Sequence, residues 1–246
     1  MDTLIDYSKI SIEEIMSEPE SLKFAFQPVI KTATGRVYGY EALMRPFPYT
    51  PMEVIGAYNR NGRLDIIEDI TTYYATKKFL ELELEGKLFL NSFPSTCMSF
   101  GMVTKLRELV HGRLKGRVVF EILEYTDFNE EAWNIKKMVF EKSGLNNEIA
   151  LDDFGTGFNI DQKCIEIYSP NIIKVDRSII SNIDKFEEKQ IKFNQLVQYM
   201  KKRNIAVLTE GVETKEEYDY VRTHGATYAQ GYYLGMPKIY EVESEL

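Results

Sequence analysis

Short, nearly continuous apolar runs recur along the chain, each followed by a longer stretch with helical spacing. The runs Phe24–Ile30, Val37–Met44, Leu88–Phe93, Val118–Glu124, Ile149–Phe154, Ile172–Asp176 and Ile205–Glu210 are rich in β-branched, aromatic and leucine residues. That is the pattern of strands covered on both faces. An eighth strand is predicted near Tyr228–Tyr233. Between them, Phe193, Leu196, Val197 and Met200 recur at the i, i+3, i+4, i+7 spacing of one helix face, with Lys192, Gln195, Gln198 and Lys201 on the others. Ala132, Ile135 and Val139 predict a similar apolar face one unit earlier, with Gly144 as its stop. Gly225 closes the helix that begins near Thr214.

Strands alternating with helices imply parallel pairing through crossovers. Eight of them in 246 residues fit a (β/α)8 barrel. The first two strands are separated only by Lys31 to Arg36, too short for a helical crossover, so they are expected to be antiparallel neighbours. A doubly wound open sheet would require a glycine-rich phosphate loop after an early strand. Gly155-Thr156-Gly157 comes too late and lacks the third glycine.

Charge changes the picture of possible ligands. With 30 Lys+Arg against 38 Asp+Glu the formal charge is −8, which argues against a surface that coats DNA or RNA polymers. Two cysteines, Cys97 and Cys164, are too few for a disulfide framework or zinc knuckle and suggest a reducing compartment. No signal peptide shows at the start, and no run of about 18 apolar residues exists to cross a membrane. These features predict a soluble, cytoplasmic domain without membrane insertion.

The polar residues fall where the strands end. Glu41 lies late in the second, Asn91 ends the third, Glu121 and Glu124 the fourth, and Asp152-Asp153 the fifth. Lys174 and Asp176 end the sixth, Glu210 the seventh, and Gln230 falls in the eighth. In a barrel these ends converge on one mouth, where catalytic residues sit. Any one of the carboxylates, Asp152 included, is readable as a solvated side chain or helix cap. Converging together, they repel one another and need compensation, which divalent cations supply. Oxygen donors without histidine suit Mg²⁺ or Mn²⁺ better than zinc or copper. His111 and His224 have no partner at ligand spacing and read as surface or packing residues. Adjacent carboxylates at Asp152 and Asp153 serve two ions if one bridges, an arrangement that clamps a phosphoryl centre, with Lys174 stabilising its charge or orienting the attacking water. Phosphate-ester hydrolysis follows.

Glu41-Ala42-Leu43, followed by Met44-Arg45, resembles the signature of EAL-domain cyclic di-GMP phosphodiesterases. Phe26-Gln27-Pro28 precedes it. Asn91 in Leu90-Asn91-Ser92, Glu121-Ile122-Leu123-Glu124, Asp152-Asp153-Phe154-Gly155-Thr156-Gly157, Lys174-Val175-Asp176, Glu210-Gly211-Val212-Glu213 and Gln230-Gly231-Tyr232 follow in the family's order. The resemblance runs from about Phe24 to Pro237, predicting an N-terminal extension over 1–22 and an EAL phosphodiesterase domain over 23–246. It implies a modified TIM (β/α)8 barrel with an antiparallel first strand, and hydrolysis of one 3′–5′ phosphodiester of cyclic di-GMP to linear pGpG by a two-metal mechanism. It further implies that Glu41, Asn91, Glu121 and Asp152 hold one Mg²⁺ or Mn²⁺ ion and that Asp152 and Asp153 hold a second. Glu210 resembles the residue assigned as general base, with a role as metal ligand equally open. By the same resemblance Lys174 holds the nucleophilic water, Arg45 contacts a substrate phosphate, and Gln27 and Gln230 line the substrate groove. Glu124 braces the loop after Asp153, while Asp176 and Glu213 support the ligands from behind. A homodimer is implied as well.

Three departures from the family pattern stand out. Arg45 is followed by Pro46 where many members carry tryptophan, Phe158-Asn159-Ile160 replaces Tyr-Ser-Ser, and the span from Asp152 to Lys174 is one residue longer. They bear on loop control and turnover more than on metal binding. A catalytically weak or inactive cyclic di-GMP receptor or interaction module is therefore the alternative reading. A barrel hydrolase of another phosphate ester explains the carboxylates but not the full set of motifs. The N-terminal extension is too short for a separate sensory domain, so input is expected from a partner, the dimer interface or a larger parent protein.

Overall fold

The computed structural model describes residues 18–123, 130–142, 147–154 and 162–241, the side chains of 142, 153, 154 and 162 excepted. Eight strands close into a barrel in sequence order: β1 (Lys23–Lys31), β2 (Arg36–Arg45), β3 (Lys87–Ser92), β4 (Val118–Ile122), β5 (Glu148–Phe154), β6 (Ile172–Val175), β7 (Ala206–Thr209) and β8 (Tyr228–Ala229). β1 runs antiparallel to both β2 and β8, and all other neighbours pair in parallel. The expected modified barrel is the observed one. The short Lys31-to-Arg36 connection forces its single reversal, since Lys31 pairs directly with Arg36.

Helices cover the outside: α1 (Pro51–Arg60), α2 (Leu64–Glu81), α3 (Phe100–Val110), α4 (Glu130–Lys142), α5 (Gln162–Tyr168), α6 (Arg177–Ile180), α7 (Glu187–Lys201) and α8 (Lys215–Thr223). Local chemistry starts several of them. Thr50 and Thr214 each cap their helix in a reciprocal box, with Glu53 and Glu217 three residues on. The predicted face of α7 is the buried one, with Phe193, Leu196, Val197 and Met200 all in the core. α8 ends at Thr223 with Gly225 just beyond at φ 101°.

On α4 the phase differs from expectation. The buried stripe is Trp133, Lys136 and Phe140, whereas Ile135 is 44% exposed. A lysine replaces the apolar residue expected at the centre of the stripe, because its ammonium meets a buried carboxylate rather than water (Glu68, at 2.6 Å).

Side-chain alternation sets the interior in layers. Val29, Phe89, Val119, Ala150, Ile172 and Leu208 form an apolar plug inside the barrel. Two residues nearer the C-terminal mouth, the same inward positions carry Gln27, Asn91, Glu121, Asp152, Lys174 and Glu210. The other strand faces pack against the helices in two larger apolar clusters. Among the described residues, no helix is long and apolar enough to cross a membrane.

Candidate functional site

The polar layer gathers at the mouth around one ammonium. Lys174 on β6 is 1% exposed. Its Nζ stands 2.9 Å from Glu121 on β4, 2.9 Å from Asp152 on β5, 2.8 Å from Glu210 after β7 and 3.9 Å from Glu41 on β2. Glu210 and the nearby Gln230 lie just past strand ends rather than within strands, contrary to their expected placement. Barrel pairing nevertheless continues far enough to fix them: Glu210 N–H donates to Val175 O at 3.0 Å and Gln230 N–H to Thr209 O at 2.8 Å. β8 stops at Ala229 because the chain then turns back, Val212 N–H donating to Gln230 O at 3.1 Å. Gly231 permits this close approach; a Cβ there would lie 2.2 Å from Val212 N.

A neutral amide pair closes the opposite wall. Gln230 Nε2 donates to Glu41 Oε2 at 2.6 Å and to Gln27 Oε1 at 3.2 Å, while Gln27 Nε2 donates to Gly235 O. Glu41 thereby has one oxygen held by Gln230 and the other directed to Lys174. Its position follows from register, since Glu41 pairs with Gln27 across β1 and with Phe89 across β3.

Among the described residues, four carboxylates face one ammonium, which leaves the cluster short of positive charge. Burial pushes Glu121 well above the ordinary carboxylate range, and its acidic neighbours reinforce the shift against the pull of Lys174. Burial likewise lifts Glu210 to about 8, with Asp152 and Glu41 adding to it against Lys174. Burial alone would depress the Lys174 ammonium, but the carboxylates of Asp152, Glu121, Glu210 and Glu41 outweigh it and hold the group well above the usual lysine range. Both Glu121 oxygens, Asp152 Oδ1 and Gln230 Oε1 are buried without a hydrogen bond: Lys174 approaches Glu121 and Asp152 at ion-pair distance but not at hydrogen-bonding angles.

Those orphaned oxygens are a test of whether the residues fit a metal. Among the described residues, no three acidic, cysteine or histidine side chains form a cage unaided; Lys174 lies between them. The donor chemistry does fit a hard divalent cation, with buried, unsatisfied carboxylate oxygens and an amide oxygen at one mouth. Asn91 pairs in register with Glu121 and is half-buried. It shares with Glu41 and Arg45 a cavity of about 260 Å³ whose other walls include Leu43, Met52 and Leu123.

Other candidates stand apart from the cluster. Arg45 donates to Met44 O. Asp176 caps α6, accepting from Ser178 N–H at 2.8 Å. Glu213 pairs with the exposed Arg177 at 2.6 Å. These two steady the turns after β6 and β7. The side chain of Asp153, all of Glu124, Gly144 and Phe158-Asn159-Ile160 lie outside the described residues. His111 and His224 both cap helix C-termini, the latter stacked on Tyr220.

A family model described as the EAL domain matches residues 13–237. The chain belongs to the EAL domain family. A cyclic di-GMP phosphodiesterase of Pseudomonas aeruginosa, NbdA, is 27% identical to this EAL domain over 229 residues, which is 89% of the chain and 29% of that protein. The chain spans a little over a quarter of the length of such curated relatives. Among solved structures, the manganese/cy-diGMP complex of Klebsiella pneumoniae BlrP1 at pH 9.0 superposes with a TM-score of 0.72 at 26% identity, over 86% of this chain and 54% of that one. A standalone EAL protein of Vibrio cholerae, in its c-di-GMP bound form, gives 0.73 at 24% identity over 89% and 95% of the two chains. At that identity the likeness speaks for the fold alone.

Missed in the sequence is the buried trio Glu68, Ser92 and Lys136 behind Asn91. The signal was present as a lysine in the i, i+3, i+7 stripe Trp133-Lys136-Phe140.

Proposed function

We propose that this EAL domain is a metal-dependent phosphodiesterase that hydrolyses cyclic di-GMP to linear pGpG, with two Mg²⁺ or Mn²⁺ ions per site. The observation that carries the reading is the gathering of Glu41, Glu121, Asp152 and Glu210 around Lys174, with buried oxygens left unsatisfied. Supporting it are the named activity of the Pseudomonas relative and the ligands of the Klebsiella complex. Glu41, Asn91, Glu121 and Asp152 would hold one ion, and Asp152 with Asp153 the second. When bound there, divalent cations would supply positive charge to offset that of the phosphoryl group.

The chain's own groups do the rest. Lys174 orients the attacking water and offsets developing negative charge. Glu210, which lies 2.8 Å from Lys174, takes the water's proton in this reading. The new bond joins water oxygen to phosphorus, the bond to the 3′ oxygen breaks, and that oxygen leaves with a proton from solvent. Gln27 and Gln230 line the groove, and Arg45 at the rim of the adjoining cavity meets a phosphate. Glu124 bracing the loop after Asp153, support of the ligands by Asp176 and Glu213, a homodimer and a cytoplasmic location complete the reading.

Incubation with cyclic di-GMP and Mg²⁺ or Mn²⁺, followed by chromatography, should yield pGpG that disappears with EDTA. Intact cyclic di-GMP with both metals would contradict the proposal, and tight binding under those conditions would favour the receptor alternative.

A further inference from the structure

Outside the mouth, one group of charged residues is sealed from water and has no part in the chemistry above. Lys136 on α4 and Glu68 on α2 are 0% and 1% exposed and pair at 2.6 Å. The three donors of the ammonium find three acceptors: Glu68 Oε1 at 2.6 Å, Ser92 Oγ at 2.7 Å and Phe93 O at 2.6 Å. Ser92 Oγ–H in turn donates to Glu68 Oε1 at 2.7 Å, and Phe93 N–H lies 3.4 Å from Glu68 Oε2. Two helices are thus tied to the last residue of β3 and the one after it.

An apolar trio would hold the same elements at least as well, because a buried ion pair offsets its attraction with desolvation. What hydrogen bonds add is direction. Along β3 the side chains alternate: Leu88 and Leu90 pack among the helices, Phe89 joins the interior plug, and Ser92 faces α2 and α4. Asn91, between Leu90 and Ser92, therefore points into the mouth. The Ser92 carbonyl also receives Leu123 N–H at 3.1 Å, two residues beyond Glu121, and Asn91 pairs in register with Glu121. The network sits directly behind two of the oxygen donors.

We propose that the Glu68–Ser92–Lys136 network is a positioning device that sets the angle at which Asn91 presents its side-chain oxygen to a divalent cation at the barrel mouth. This inference rests on the metal-dependent reading of the site. Groups behind metal ligands commonly change affinity about 10–100-fold when removed.

The test replaces both charged partners so that no orphan charge remains: Lys136→Met with Glu68→Met, two linear side chains of similar length. Circular dichroism should show the native fold. Mn²⁺ binding without nucleotide, followed by electron paramagnetic resonance, should weaken about 10-fold or more. The Mn²⁺ concentration for half-maximal hydrolysis should rise in parallel, while KM for cyclic di-GMP and the rate at saturating Mn²⁺ change little. A purely structural role would move the melting temperature and leave the Mn²⁺ midpoint unchanged, which would overturn the inference. Should the double variant not fold, Ser92→Ala decides: weaker Mn²⁺ binding supports the device, and unchanged binding overturns it. Unmodified protein that takes up no Mn²⁺ would defeat the metal reading and this inference together; normal uptake by both proteins would defeat this inference alone.

Discussion

Replacing Lys174 by Met removes the one ammonium that, among the described residues, pairs with the carboxylates of the mouth, while keeping the length of the stem. Three ion pairs at 2.8–2.9 Å and a fourth contact at 3.9 Å are lost. Taking one partner from a buried pair costs about 3–5 kcal/mol. At roughly 2–4 °C per kcal/mol for a chain this long, the metal-free variant should melt about 6–20 °C below the unmodified protein. The deficit depends on pH with a definite sign. Burial and acidic neighbours already raise Glu121 and Glu210 with Lys174 in place, so protons relieve more of the repulsion at pH 6 than at pH 8.5. Mn²⁺ at about 100 times its dissociation constant should return about 2.7 kcal/mol. Turnover in saturating Mn²⁺ should nevertheless fall about 10²–10³-fold, because the ammonium acts on charge that develops in the transition state. Thermal melts by circular dichroism, in EDTA and in Mn²⁺ at both pH values, read these effects. Equal melting temperatures in EDTA at pH 8.5, a larger deficit at pH 6, or no rescue by Mn²⁺ would each refute the electrostatic reasoning.

Three further outcomes are expected. The unmodified metal-free protein should lose stability as pH rises towards and through about 8: Glu210 is raised above its unfolded value, so its contribution is complete only below the ordinary carboxylate range. Melting temperatures in EDTA that climb from pH 6 to pH 9 would contradict this. Glu41→Ala and Asp152→Ala should each reduce pGpG formation about 100-fold or more in a chromatographic assay, since each deletes a proposed oxygen ligand; near-normal product from either would count against its assignment. Gly231→Ala should cost about 1–3 kcal/mol by overpacking against Val212, and should lower kcat by displacing the turn that carries Glu210. Wild-type kinetics in that variant would show that the turn tolerates the shift.

Strands were legible because their apolar runs are buried on both faces, and the interior layer was legible because inward positions step by two. Val119 and Glu121, Ala150 and Asp152, and Ile172 and Lys174 each spell out plug and mouth in three residues. The antiparallel first pair followed from a connection too short to cross over. Less legible was β8, expected to reach Tyr233, where backbone hydrogen bonds to the turn after β7 curtail pairing at Ala229. The phase of α4 was misplaced because a lysine reads as solvent-facing until its partner is known, and Glu68 lies 68 residues earlier in the chain. Pairing across that distance leaves no periodic trace. The same limit applies to Glu217, whose carboxylate accepts N–H groups from Asn182, Glu213 and Thr214 and so ties the turns after β6 and β7 together.

The most direct test of the two-ion account is a crystal grown with Mn²⁺ or Ca²⁺ and cyclic di-GMP, with metals located by anomalous scattering. Two peaks are expected at the barrel mouth, one within coordination distance of Glu41, Asn91, Glu121 and Asp152 and the other of Asp152 and Asp153, with a phosphate of the nucleotide between them. A nucleotide seated elsewhere, or a mouth in which Lys174 alone still neutralises the carboxylates at saturating metal, would contradict it.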